Sequence, residues 1–169
     1  MIFKPRHWHE LPEEAPEELH WFYGYWQSKR PEGGGNPPRC AIDPADFPRL
    51  LNTTFIVERT AEGRHKMRLA GTFYHQLYGQ EITGAYIEDL APLNSAGQTL
   101  QHAHDECARC NGPVYTEAST AWISQITLNY RRLLLPLAGG TGEVAFMIGT
   151  AVFYDTKGNR LEAAPWGPA

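Results

Sequence analysis

Large apolar residues recur with a helical period near the start of the chain: Leu19, Phe22 and Trp26 stand at i, i+3 and i+7, with Trp21 and Tyr25 on an adjoining stripe. Pro16 and the carboxylates Glu13, Glu14, Glu17 and Glu18 suit the first turn of such a helix and its positive dipole end. So much apolar surface on one short helix must be covered, either by the chain's own sheet or by a partner chain. The run Arg30, Pro31, Glu32, Gly33, Gly34, Gly35, Asn36, Pro37, Pro38 then reads as a linker. A second short helix is predicted at Asp43-Pro44, with Asp43 as its cap and Phe47, Leu50 and Leu51 as its apolar face. The period next changes to two. Residues 54–60 are rich in β-branched side chains, 61–63 form a turn, and 65–70 alternate, which predicts a hairpin.

The middle of the chain is helical and broken by glycine. Phe73, Tyr74, Leu77 and Tyr78 keep helical spacing until Gly79, and residues 83–90 make one or two further turns stopped by Pro92. A longer helix is predicted from Ser95, with Gln98 completing a capping box and Leu100, Ala103 and Cys107 marking its inward stripe. Three strands follow, at 114–123, 126–135 and 144–154; beyond Asp155 the tail reads as irregular, with Trp166 as a residue that docks. Two sheet segments flanking a helical insertion form an α+β layer architecture.

Composition narrows the function classes. A chain of 169 residues with 42% hydrophobic and 20% charged residues suits one domain with flanking segments. The divisions expected are 1–38 for the aromatic helix and linker, 39–156 for the core, and 157–169 for a C-terminal tail. A net charge of −4 sets up no field favouring nucleic acid or an anionic membrane, and the pair Arg131-Arg132 reads as a solvated strand edge. No apolar run approaches membrane-span length and the first residues lack a signal-peptide pattern, so a cytoplasmic location is expected. Cys40, Cys107 and Cys110 are too few for a disulfide framework.

Three stretches carry a resemblance. Arg39-Cys40-Ala41-Ile42-Asp43-Pro44 followed by Leu50-Leu51, then Arg68-Leu69-Ala70-Gly71-Thr72, then Tyr78 through Gly84 look like the bacterial PAS_5 family, a match extending over about residues 20–155. Trp26 and Arg30 ahead of the linker, and the run from Tyr130 to Leu137, fit the same pattern. The resemblance implies a five-stranded antiparallel sheet with helices packed on one face, here with an N-terminal flanking helix. It also implies a non-enzymatic sensory or regulatory module acting through protein contact. A homodimer is the first expected partner, and a small molecule bound between sheet and helices is the expected signal. Within the motifs, Gly71, Gly79 and Gly84 suit tight turns, Arg39 belongs to the first stretch, and an ion pair between Arg68 and Asp43 is expected to fix the short helix against the hairpin. Leu19, Trp21, Phe22, Tyr25 and Trp26 are the candidate partner or dimer helix.

The candidate pocket consists of Phe73, Tyr74, Tyr78, His104, Trp122, Tyr130 and Phe146, with Phe153 among the same aromatics. The segment His102-Ala103-His104-Asp105-Glu106-Cys107-Ala108-Arg109-Cys110 carries the densest chemistry. Zinc would use His104, Cys107 and Cys110 along one side of a helix, but the chain has no second Cys-x-x-Cys to complete four ligands. Haem would use His102 or His104 as axial ligand, a flavin photosensor would need a reactive cysteine motif that is missing, and a Cys107–Cys110 redox couple lacks its usual βαβ setting. Haem, flavin and zinc are each disfavoured, and the cofactor is left unassigned. The alternative reading is a small α+β enzyme or carrier of the hot-dog or cystatin-like kind, with Asp105 and Glu106 beside His102 and His104 as acid and base. No Gly-x-Ser-x-Gly, P-loop or His-Glu-x-x-His motif supports catalysis, so no catalytic residue is assigned.

Overall fold

The alternating stretches pair into one antiparallel sheet in the computed structural model, which describes residues 1–91, 95–123 and 126–162. Its strands are β1 (Arg6–Trp8), β2 (Thr54–Arg59), β3 (His65–Ala70), β4 (Val114–Ser119), β5 (Asn129–Ala138) and β6 (Val144–Tyr154), in the spatial order β1-β4-β5-β6-β2-β3. Four helices accompany them: α1 (Glu17–Ser28), α2 (Thr72–Tyr78), α3 (Ile87–Leu90) and α4 (Ser95–Cys110). The expected stop at Pro92, the Ser95 side-chain cap and the docking of Trp166 lie outside the described residues.

The sheet has six strands where five were expected. The additional one, β1, pairs Arg6, His7 and Trp8 with Glu117, Thr116 and Tyr115. Three residues are too few to show an alternating pattern, so nothing in the local sequence announces it. Two predicted strands shift at their ends. β4 stops at Ser119 because Thr120 turns the chain, its hydroxyl accepting from the Leu128 amide at 2.9 Å. β5 then runs to Ala138, through Pro136. A proline is tolerated in this interior strand because β4 ends opposite Leu134, leaving no β4 residue to receive an N–H from position 136.

Both faces of the sheet are covered, each by one parity of the strands. Helices α2, α3 and α4 bury Phe55, Met67, Leu134, Met147 and Phe153 on one side. Helix α1 lies on the other side, where Leu19, Phe22 and Trp26 join Ile56, Leu133, Leu135, Leu137 and Ile148. The chain's own sheet, not a partner, is what most of the aromatic helix covers. Of the five residues expected on a partner helix, Leu19, Phe22 and Trp26 are buried in this core, Tyr25 is half-buried, and Trp21 remains 50% exposed. The Trp26 indole N–H also donates to the Pro136 carbonyl at 2.9 Å, fixing the helix to β5.

The linker is pinned at its C-terminal end. Asn36 is buried and donates to Asn111 Oδ1 at 2.6 Å, and the Pro37 carbonyl accepts from the Ala138 amide at 2.9 Å. The predicted second helix forms as two 3₁₀ segments, Pro44–Asp46 and Pro48–Thr53, and Asp43 caps the first by accepting from Ala45 N at 2.9 Å. The Tyr25 hydroxyl ties α1 to this cap, donating to Asp46 at 2.9 Å while accepting from Asp43 N at 3.0 Å.

The expected Arg68–Asp43 ion pair does not form. Arg68 meets Glu58 on the neighbouring strand of its own hairpin, a partner only three-dimensional register reveals. Arg39 closes its own turn instead of a site, its guanidinium 3.4 Å from the Ile42 carbonyl. The motif glycines serve geometry. Gly79 ends α2 at φ 68°, in the left-handed region open to glycine, and the Gly84 amide donates to Met67 O at 2.7 Å. Gly71 allows a close approach: an added Cβ would stand 2.2 Å from the Asn52 carbonyl oxygen.

Candidate functional site

Between the sheet and helices α2, α3 and α4 the packing leaves a cavity of about 40 Å³. Five of the seven pocket residues expected from the sequence line it: Tyr74, Tyr78, His104, Trp122 and Tyr130. Phe73 stands behind the wall, its ring 4.4 Å from that of Phe153, which does line the cavity. Phe146 does not belong to the site. It packs with the α1-side cluster because β6 alternates faces, sending Met147, Ala151 and Phe153 to the cavity side and Phe146 and Ile148 to the other.

The polar groups of the cavity were only partly visible in sequence. His104 is fully buried on α4, and its Nδ1 lies 2.8 Å from the Leu100 carbonyl, so Nδ1 carries the proton and donates. Burial above all, then the nearby Arg132 guanidinium and His65, hold the imidazole well below its ordinary pKa. It is neutral, and its Nε2 is an acceptor with no partner among the described residues. Burial pushes the Tyr130 phenol up, so its hydroxyl stays protonated, and it too has no partner there. The Tyr74 hydroxyl is already used, donating to the Thr53 carbonyl at 2.7 Å.

Arg132 is the residue that sequence reasoning missed. Far from a solvated strand edge, its side chain is 5% exposed and lines the cavity, with the guanidinium carbon 5.2 Å from the Tyr130 ring centre and 6.0 Å from that of Phe55. Strand parity was the available signal, since position 132 shares a face with Tyr130 and Leu134. Arg131, of opposite parity, faces the other side and meets Glu117 at 3.3 Å. Neither Nε nor Nη2 of Arg132 has a hydrogen-bond partner among the described residues.

The residues of the α4 cluster do not converge. His104 and Cys107 turn inward, while His102, Asp105 and Cys110 face solvent, so the proposed ligand row and thiol couple are divided between core and surface. Burial pushes the Cys107 thiol up, away from the thiolate that metal binding or exchange needs. The trio His9, Glu106 and Cys110, the first and last exposed and Glu106 half-buried, comes close enough to touch a common ion, but Glu106 is already gripped by Arg109 at 2.7 and 3.0 Å. That grip holds Glu106 down to about 2, which removes it as a general base near neutrality. As packed, the cavity is also far smaller than the roughly 300 Å³ at which sites for larger organic ligands begin, which leaves no room for haem or flavin.

The family model described as a PAS domain, PAS_5, matches residues 15–152, most of the chain, from α1 into the body of β6. The chain belongs to the PAS_5 family. PAS domains are sensory and regulatory modules, which is the class of function this membership supports. No curated protein matches the sequence. Among solved structures, this PAS_5 chain is similar to the PAS domain of BvgS from Bordetella pertussis at 17% identity and a TM-score of 0.40, covering 68% of this chain and 89% of that one. It is also similar to an RNA-binding light-oxygen-voltage receptor at 16% identity and a TM-score of 0.42, covering 69% of this chain and 35% of that one. No helix among the described residues of this PAS_5 protein is long and apolar enough to cross a membrane.

Proposed function

We propose that the protein is a non-enzymatic sensor that binds a small molecule in the cavity beneath α2, α3 and α4 and signals through contact with a protein, including a second copy of itself. The observation that carries the reading is the cavity's composition: aromatic and aliphatic walls with His104 Nε2, the Tyr130 hydroxyl and the Arg132 fork left unpartnered. Buried polar atoms are nearly always satisfied, so a group of vacant ones in one cavity favours a partner from outside the chain.

Ala151 lines the cavity on β6 and is buried, so a larger side chain there is expected to take up the space. Small compounds of up to about six heavy atoms, a size set by the cavity's room for a few waters, should shift Trp122 fluorescence saturably in the native protein and not in Ala151→Phe. If every compound acts equally on both proteins, the cavity is not the binding site.

For the protein contact, Trp21 is the large aromatic left outside, stacked on Tyr25 with ring centres 5.7 Å apart. Trp21→Ser should lower the sedimentation coefficient of an assembled form while leaving the melting curve intact. An unchanged assembly with the variant removes Trp21 from the interface.

A further inference from the structure

We propose that the cavity is built for a short-chain monocarboxylate whose carboxylate is gripped by the Nε and Nη2 edge of the Arg132 guanidinium; the inference rests on the ligand-site reading above. Five arginines elsewhere on the molecule already hold acids. Arg64 meets Asp89, Arg68 meets Glu58, Arg109 meets Glu106, Arg131 meets Glu117 and Arg160 meets Glu18. Those pairs are surface or half-exposed, where water would serve the cation nearly as well. The buried arginine is the one facing an apolar cavity without an acid, although a charge removed from water needs a counter-charge far more. Arg132 is also the single charged side chain among the described residues that line the cavity, since His104 is neutral there.

The vacant atoms define what fits. Nε and Nη2 form one edge of the guanidinium fork, the edge that takes a carboxylate through two parallel hydrogen bonds. The Tyr130 hydroxyl is a second donor without a partner among the described residues of the same cavity, and its ring centre lies 5.2 Å from the Arg132 guanidinium carbon. A volume of about 40 Å³ has room for about three waters, hence for a ligand of roughly four to six heavy atoms. Tyr74, Leu77, Ala151 and Phe153 supply the apolar wall for a short alkyl group. With one cation lining the space, a second carboxylate would be buried without a counter-charge, which selects monocarboxylates over dicarboxylates.

Isothermal titration of the full chain at neutral pH with propionate, its neutral isostere propionamide, succinate and chloride tests the assignment. Propionate should bind at least about tenfold more tightly than the other three, the scale of a charge-assisted hydrogen-bond pair. Arg132→Met should keep a cooperative melt, at a temperature no lower than native because an unpaired buried charge has been removed, and should lose the preference for propionate over propionamide. Arg132→Lys, which keeps the charge without the planar fork, should bind propionate more weakly than the native protein, and covers the case in which Arg132→Met fails to fold. Equal binding of propionate and propionamide overturns the carboxylate assignment while leaving the cavity as a ligand site. Chloride matching propionate, or Arg132→Lys binding propionate at native strength, overturns it as well. If none of the four compounds binds, the ligand-site reading falls with it.

Discussion

A chain starting at residue 39 is expected to lose its cooperative thermal transition and to aggregate. The region removed carries the whole of α1 and the pinned linker, so the loss is not that of a detachable arm. Leu19, Phe22 and Trp26 are at most 3% exposed, and full burial of such side chains contributes about 1.5–3 kcal/mol each. Their departure would also uncover Ile56, Leu133, Leu135, Leu137 and Ile148, which are buried against them on the outer face of the sheet. The sum reaches the roughly 5–15 kcal/mol by which an ordinary domain is stable at all. Circular dichroism melts and binding of a hydrophobic dye, compared with the full chain, measure the effect. A shortened chain that melts cooperatively near the native temperature would show that α1 is dispensable to the fold and free to serve another purpose.

Gly71→Ala is expected to destabilise by about 3 kcal/mol or more, a large effect for one methyl group, because strain of this kind cannot relax through side-chain rotation. The added Cβ would lie 2.2 Å from the Asn52 carbonyl oxygen and 2.3 Å from that of Leu51. Both are backbone atoms of the 3₁₀ segment Pro48–Thr53, and that segment is tied to the sheet at its C-terminal end. Thr54 Oγ1 donates to the Leu50 carbonyl at 2.7 Å, and the Gly71 amide donates to the Thr54 carbonyl at 2.8 Å. Gly24→Ala supplies the opposite case, since its Cβ on the exposed face of α1 would meet nothing within 4 Å and should raise stability by about 0.5–1 kcal/mol through helix propensity. Chemical denaturation of the two variants beside the native chain gives both values. A Gly71→Ala loss below that of an ordinary surface substitution would mean that the 3₁₀ segment moves aside.

The element order from α1 onward and most of the cavity's aromatic residues were legible in the sequence because each rests on local pattern. Helical spacing at Leu19, Phe22 and Trp26 identified α1, and the Asp43-Pro44 cap identified the turn after the linker. What the pattern could not say was which surface α1 covers, since periodicity records that a face is apolar and not what it meets. The partner of Arg68 was misjudged for the same reason: Glu58 is ten residues away along the chain but across the strand in the sheet. Phe146 and Arg132 are a different kind of error. Both lie in strands whose alternation was readable, and following parity from Tyr130 and Phe153 would have placed Arg132 in the cavity and Phe146 outside it. Strand β1 was illegible at any level of local reading, because its three residues form a strand only by virtue of the β4 edge beside them.

Strand β5 works as an interleaved code. Its even positions Tyr130 and Arg132 furnish the chemistry of the cavity, while its odd positions Leu133, Leu135 and Leu137 hold α1 on the far side. Side chains at 130 and 132 can therefore change the polar groups of the cavity while the residues that keep the domain assembled stay as they are. Cavity chemistry and architecture occupy the same ten residues yet remain separately editable.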